Sequence, residues 1–250
     1  MAKTKYLRTS HYLDNVRLGL SFPSVTVAFF RGGKVAGYQK LQWKFLESLS
    51  HLSTDEVLTL LSESSKKKEL ILPKKLQIFE KSVVDINVAL LYYLVRAYKP
   101  KIAVETGVWS GKTSWSILKA MEDNDEGKLF SIDLGVKQWG SSILPTKEIG
   151  GFVPESLHSR WQLILGDSRE KLPPILDKLN IIDLFYHDSD SSNRELVNLE
   201  FNTAIRHLKK GGVFCSDDVY DENNTFNEIS THLRDSAIIG NKVGYAFKPE

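Results

Sequence analysis

Cysteine is all but missing from this sequence. Cys215 is the only one in 250 residues, which excludes an intrachain disulfide framework and a cysteine-based zinc cluster. Long apolar runs are missing too. No stretch of about 18 apolar residues occurs, so no membrane span is expected. The start, Met1-Ala-Lys-Thr-Lys5, has no apolar core of the kind a secretory signal needs. A reducing cytoplasm is the expected compartment. The third absence is an excess of charge of one sign. The formal net charge is +2, which removes the global electrostatic case for nucleic acid. What remains is a composition, 42% hydrophobic and 26% charged, that can bury a sizeable core without staples.

No internal repeat is visible. Val25-Thr-Val-Ala-Phe-Phe30 reads as a strand, with Arg31-Gly-Gly-Lys34 as a turn after it. Ser53-Thr-Asp-Glu56 is a capping box that opens a helix to about Ser64. Lys66-Lys-Lys68 and Lys74-Lys75 read as a solvated linker. A second helix is predicted over Lys81 to Tyr98, with Val84, Val88, Leu91, Val95 and Tyr98 on one face and Pro100 as its stop.

From Lys99 onward, strands alternate with helices. Ile102–Thr106, Lys128–Asp133, Trp161–Leu165, Asp183–His187 and Val213–Cys215 read as strands. Helices are predicted over Lys112 to Glu122, after the capping box Ser192-Asn-Arg-Glu195, and after Thr225-Phe-Asn-Glu228. The second of these should turn Leu196, Leu199, Thr203 and Leu208 inward and close at Gly211-Gly212. Ser236–Ile239 and Lys242–Phe247, joined by Gly240-Asn241, fit a hairpin. The fold class is α/β. We expect a Rossmann-like, mostly parallel seven-stranded sheet with helices on both faces and a C-terminal antiparallel hairpin. A mainly helical N-terminal extension over residues 1–80 precedes a domain over 81–250. The extension should cover the site or form a contact between copies in a homo-oligomer.

The chemistry concentrates at strand ends. Val104-Glu-Thr-Gly-Val-Trp-Ser-Gly111 joins the first strand to its helix. Gly107 and Gly111 permit a tight turn and close approach of a ligand, and Glu105 is an acid that can hold an ammonium. Asp133 ends the second strand, where an acid can accept ribose hydroxyls. Gly166-Asp-Ser168 ends the third, where a side-chain oxygen can meet an adenine edge. A dinucleotide would need G-x-G-x-x-G. Here the spacing is G-x-x-x-G with bulky Trp109 in the middle, so a pyrophosphate would meet that side chain.

Glu105-Thr-Gly-Val-Trp-Ser-Gly111, Ser131-Ile-Asp133, Gly166-Asp-Ser168, Tyr186-His-Asp-Ser-Asp190 and Lys210-Gly-Gly-Val-Phe-Cys-Ser-Asp-Asp218 resemble the successive motifs of class I S-adenosylmethionine-dependent methyltransferases. More narrowly they resemble the O-methyltransferase branch that includes catechol and macrolide-sugar methyltransferases. The closing antiparallel hairpin is also that family's habit. The resemblance implies that Glu105, Gly107, Trp109, Ser110 and Gly111 surround the methionine part of S-adenosylmethionine, with Thr113 in the same cofactor set. It implies that Asp133 takes the ribose and that Asp167 with Ser168 borders the adenine. Trp109 can lie against the sulfonium or the adenine, or be a packed core residue.

Asp188 follows the fourth strand and Asp217-Asp218 the fifth, on the same sheet edge as the cofactor. Three converging carboxylates repel one another unless a cation or proton intervenes. In the resembled enzymes, matching positions hold a divalent metal. Asp188, Asp217 and Asp218 are therefore the expected ligands of Mg²⁺ or Mn²⁺, with loop capping as the alternative for the last two and cofactor contact, a role Asp188 is also expected to have, as the alternative for the first. One departure stands out. Where those enzymes carry a basic residue three after the first metal aspartate, this chain has Ser191. Asp190 and His187 are the candidate replacements, with His187 expected to be structural. Asp188 and Asp190 are the expected catalytic pair. Leu134 to Ser159, with Trp139, Pro145 and Gly150-Gly151, is long enough to form part of a substrate wall, and Tyr220 and Asp221 are placed to face the acceptor.

The expected activity is methyl transfer from S-adenosylmethionine to a hydroxyl of a small polyhydroxylated acceptor, assisted by a divalent metal. Its rivals are a metal-independent N- or macromolecule methyltransferase and a non-catalytic S-adenosylmethionine-binding protein. The small-acceptor reading makes a prediction about partners. A mobility-shift assay at physiological salt should show no DNA or RNA binding tighter than the ~10⁻⁴–10⁻⁶ M of non-specific contacts. Specific, tight RNA binding would favour the macromolecular rival.

Overall fold

The structure is a computed structural model that describes residues 23–79, 85–220 and 225–250. Residues 1–22, the predicted helix start at Lys81 with Val84, and Asp221 lie outside the described residues. No helix among the described residues is long and apolar enough to cross a membrane. The chain divides into two compact units, Met1–Ser53 with Ile71–Asp85, and Thr54–Leu70 with Ile86–Glu250.

In the smaller unit, helix α1 (Pro23–Leu49) takes in the segment predicted as a strand, Val25–Phe30. The β-branched Val25-Thr-Val pattern suggested a strand, but a lone strand leaves its backbone groups unpaired, whereas a helix pairs them internally. The expected turn survives as a break, since Gly33 sits at φ 72°, ψ −167°. Beyond it, Leu41, Phe45, Leu46 and Leu49 are buried at helical spacing. The Phe45 ring lies 5.4 Å from that of Phe79, on a short 3₁₀ turn over Lys74–Phe79.

The larger unit opens with α2 (Thr54–Lys67). Asp55 and Glu56 stand in its first turn and Lys66 and Lys67 in its last. That distribution suits the helix dipole and carries the helix past Ser64, so part of the supposed lysine linker is helical. Helix α3 (Ile86–Tyr98) packs between α2 and α4 (Lys112–Asp123). This explains why Asn87 to Val95 are all buried rather than a single stripe, while Tyr98 is exposed.

The sheet strands are β1 (Ile102–Thr106), β2 (Lys128–Asp133), β5 (Trp161–Leu165), β6 (Ile182–His187), β7 (Leu208–Ser216), β8 (Arg234–Ile239) and β9 (Val243–Phe247). A separate two-stranded ribbon, β3 (Gln138–Trp139) with β4 (Ser142–Ile143), lies in the long connection after β2. The sheet order is β5-β2-β1-β6-β7-β9-β8. The first five strands of that order are parallel, and β9 runs antiparallel to both β7 and β8. The turn between β8 and β9 uses Gly240 (φ 62°) and Asn241 (φ 50°), the two positive φ angles that a tight hairpin turn requires. In β8 the register slips between Arg234 and Ala237.

Helix α5 (Ser168–Leu179), between β5 and β6, contains Pro173 and Pro174. Helix α6 (Arg194–His207) begins after Asn193, whose side chain accepts from the Leu196 N–H. It passes directly into β7 at Leu208, so Gly211-Gly212 lie inside the strand rather than closing the helix. Leu199 faces outward. Val197, Phe201 and Ala204 join Leu172 and Leu176 of α5 over Val104, Ile132, Phe185 and Phe214 of the sheet. Helix α7 (Thr225–Ser230) adds Phe226 to that core.

Phe201 is the test of this layer. It is 1% exposed and stands edge-on to Phe214 at 4.8 Å and His187 at 4.9 Å. Phe201→Ala should destabilise the larger unit by about 3–5 kcal/mol in urea unfolding. A loss under about 1 kcal/mol would contradict the packing described.

Candidate active site

Parallel strands all open on one edge, and the loops there build the site. The turn after β1 runs from Gly107 to Gly111. Asp133, at the end of the neighbouring β2, points its Oδ2 at the N–H groups of Val108 and Trp109, both at 2.9 Å. Its Oδ1 accepts from the Gly135 N–H at 2.7 Å. These bonds hold Trp109 at φ 49°, a conformation costly for a bulky residue. Gly107, at φ 83°, must be glycine for a second reason. A Cβ there would stand 2.0 Å from the Asp188 carbonyl oxygen. Gly111 abuts Gly150, where a Cβ would lie 2.8 Å from the Gly150 Cα.

A cavity of about 570 Å³ opens beside this turn, within the range of small-molecule and cofactor sites. Of the residues singled out in the sequence, Gly107, Trp109, Asp133, Asp167, Ser168, Asp188, Asp190 and Asp218 line it. Leu134, Val136, Trp139 and Ser142 of the long connection line it too, so that segment does form a wall. Glu105, Ser110, Gly111, Thr113 and Asp217 do not line this cavity, nor does Tyr220, which is exposed.

The strand alternation that puts Val104 against α5 and α6 turns Glu105 the other way, toward α4. Thr113 donates to its Oε1, and Ser114 and Ser131 donate to its Oε2. Burial pushes its carboxyl up to about 7, against the pull of those three hydroxyls. Glu105 is therefore an interior acid that fastens α4 to β1 and β2.

His187 is buried as expected, with Nδ1 3.2 Å from Ser216 Oγ and Nε2 3.2 Å from Ser189 Oγ. Burial pulls its pKa down to about 4, so it is neutral and structural. Beside it lies Glu200, which the sequence reading missed. Its Oε2 accepts from Thr106 at 2.8 Å and Ser189 at 2.9 Å, while its Oε1 is buried without a hydrogen-bond partner. The available signal was an acid on the apolar face of α6, one turn beyond Leu196. Asn87, a polar residue at the start of a buried helix, gave a similar signal. Lys242 gave none, because only the hairpin register brings it to the site.

Asp188, Asp217 and Asp218 lie close enough at the sheet edge for the charges of the last two to act on the first. Among the described residues, no three His, Cys, Asp or Glu side chains gather to hold a metal ion. The Oδ2 of Asp217 faces Lys242 Nζ at 3.1 Å and Asn87 Nδ2 at 3.0 Å. Asn87 Nδ2 also lies 3.2 Å from the Tyr186 hydroxyl, which donates to Asp188 Oδ2 at 3.1 Å. Burial, then the charge of Asp217, pushes the Asp188 carboxyl well above the usual carboxylate range. Burial also raises Asp217, while Lys242 opposes that rise.

A mostly parallel sheet closed by an antiparallel hairpin, with a ligand-sized cavity at its carboxyl edge, is a Rossmann-like methyltransferase fold. Residues 104–219 match the family model described as a methyltransferase domain. Among solved structures, the O-methyltransferase TomG from Streptomyces achromogenes, in complex with SAM and involved in tomaymycin synthesis, is 16% identical with a TM-score of 0.51. The match covers 76% of this chain and 90% of that one. A methyltransferase from Geobacter sulfurreducens is 18% identical with a TM-score of 0.49, over 78% and 88% of the two chains. At such identities the likeness is one of fold. No curated protein matches the chain in sequence.

Glu105 supplies a pH prediction. Its folded pKa of about 7 lies above the ordinary carboxylate range, so the unfolded chain gives up this proton first. The contribution is fully present below about pH 4.5 and is lost as the pH rises toward about 7, by ~3 kcal/mol. Thermal unfolding of Glu105→Gln between about pH 5 and 7 should lack this part of the slope. An unchanged slope would place the titration elsewhere.

Proposed function

We propose that this chain transfers a methyl group from S-adenosylmethionine to a hydroxyl oxygen of a small polyhydroxylated acceptor. One observation carries the reading: the Gly107 turn, Asp133, Asp167 with Ser168, and Asp188 meet around a single cavity of ligand size. The fold shared with TomG, an O-methyltransferase crystallised with this cofactor, is in keeping with it.

When bound, S-adenosylmethionine supplies an electrophilic methyl carbon: the acceptor oxygen forms the new C–O bond as the S–C bond breaks, S-adenosylhomocysteine leaves, and the hydroxyl proton passes to a carboxylate. The chain's share is mainly positioning. A carboxylate accepts about four hydrogen bonds, and Asp133 already takes three N–H groups. It has room for one ribose hydroxyl rather than both. Asp167 caps α5 by accepting from the Arg169 N–H, which leaves the start of that helix to border the adenine. Leu134, Val136 and Trp139 line one side of the cavity.

For the proton, Asp190 is the better placed acid. Its Oδ1 is held by Ser192, through the N–H at 3.2 Å and the hydroxyl at 2.6 Å, and the residue lines the cavity. This fixes the carboxylate and leaves Oδ2 to accept the proton, in the position where Ser191 offers no base. Asp188, held by Tyr186, shares the same wall and completes the catalytic pair.

Calorimetry with S-adenosylmethionine should show micromolar affinity, about −8 kcal/mol. Asp190→Asn should lower kcat by ~10²–10⁴-fold with cofactor affinity kept. Binding of NAD in place of S-adenosylmethionine would end the methyl-transfer reading, and an Asp190→Asn variant of undiminished rate would end the assignment of the base.

A further inference from the structure

We infer that Lys242 supplies the positive charge that a divalent ion would otherwise bring to Asp217, so that this site works without metal. The inference rests on the methyl-transfer reading for its consequence, though the charge arrangement stands by itself.

Asp217 is 5% exposed, and a buried carboxylate needs a cation or a proton. Its Oδ2 has the Lys242 ammonium at 3.1 Å and the Asn87 amide at 3.0 Å. Both are donors, and both stand on the same oxygen. The other oxygen, Oδ1, is buried without a hydrogen-bond partner. A dication placed there would share one carboxylate with the ammonium, and the two cations would repel at close range in a poorly screened setting.

The ammonium is held in place. Lys242 follows the Gly240-Asn241 turn, and its carbonyl accepts from the Val219 N–H at 2.8 Å. That bond ties the β8–β9 hairpin to the loop carrying Asp217 and Asp218. From Asp217 the polar contacts continue through Asn87 and Tyr186 to Asp188. Two of the three expected ligands, Asp188 and Asp217, thus face donors that belong to the chain itself. Lys242 acts through Asp217 and is a positioning residue.

The test is a titration of the full chain with Mn²⁺ alone, read by electron paramagnetic resonance. The native protein should leave the free Mn²⁺ signal undiminished at ~100 µM, weaker than calcium-sensor sites. Lys242→Met should bind Mn²⁺ at least tenfold more tightly than the native chain, while Lys242→Arg should behave as the native chain does. Stoichiometric Mn²⁺ binding by the native protein would overturn the inference, and that measurement decides the matter even if the Met variant does not fold. Equal Mn²⁺ affinities of the Met and Arg variants would overturn it too. Calorimetry with S-adenosylmethionine on the same native sample keeps the two readings apart. Absence of cofactor binding would remove the methyl-transfer reading and leave the charge assignment in place, whereas stoichiometric Mn²⁺ binding would do the reverse.

Discussion

The carboxylate of Asp133 fixes the turn on which the site is built. It ends β2, yet two of its bonds go to backbone N–H groups of the loop after β1. Charge-assisted bonds of this kind are stronger than neutral ones, and here they offset the positive φ of Trp109. With the loop so held, Gly107 can lie against the backbone of Asp188 at the end of β6. Three adjacent strands, β2, β1 and β6, thus have their ends tied together. The parallel pairing behind them, Thr106 opposite Ile132 on one side and His187 on the other, sets the register that lets these ends meet.

The strands were the most legible part of the sequence, because buried parallel strands read as short apolar runs with turn residues after them. Strand-end acids were legible for the same reason. Helix α5 was not. Pro173 and Pro174 stand in its middle, where each removes a backbone donor. The buried Leu172 and Leu176 anchor the helix against that local cost. Helix α1 was misread for the opposite reason, since Val25-Thr-Val argued locally for a strand where the chain forms a helix. The side chains that line the cavity were found where they lie on loops. Glu105 and Asp217 were placed correctly along the chain but face the interior, which motif spacing does not reveal. Lys242 and Asn87 come to Asp217 from a hairpin and a helix far apart in sequence, so only the assembled fold shows the group.

A net charge of +2 conceals an acidic interior. Glu105, Asp188, Glu200 and Asp217 are each buried or half-buried near the sheet edge, and each is matched to donors of its own. Glu105 has three hydroxyls, Glu200 has Thr106 and Ser189, Asp188 has Tyr186, and Asp217 has Lys242 and Asn87. Polar groups so enclosed are stabilising when satisfied and costly when not. The two exceptions, Oε1 of Glu200 and Oδ1 of Asp217, both lie within this edge network.

The register slip in β8 bears on how the protein behaves when crowded with copies of itself. β8 is an outer strand of the sheet, and a flat outer strand is a template for pairing with another chain. Here Arg234 and Asp235 are charged and exposed, and Asp235 turns to φ 52°, within the very stretch where the pairing with β9 falls out of step. The irregular, charged end interrupts the row of free backbone groups, so continuous sheet growth through this margin is blocked. Irregularity and charge together make this margin a poor template for a further strand.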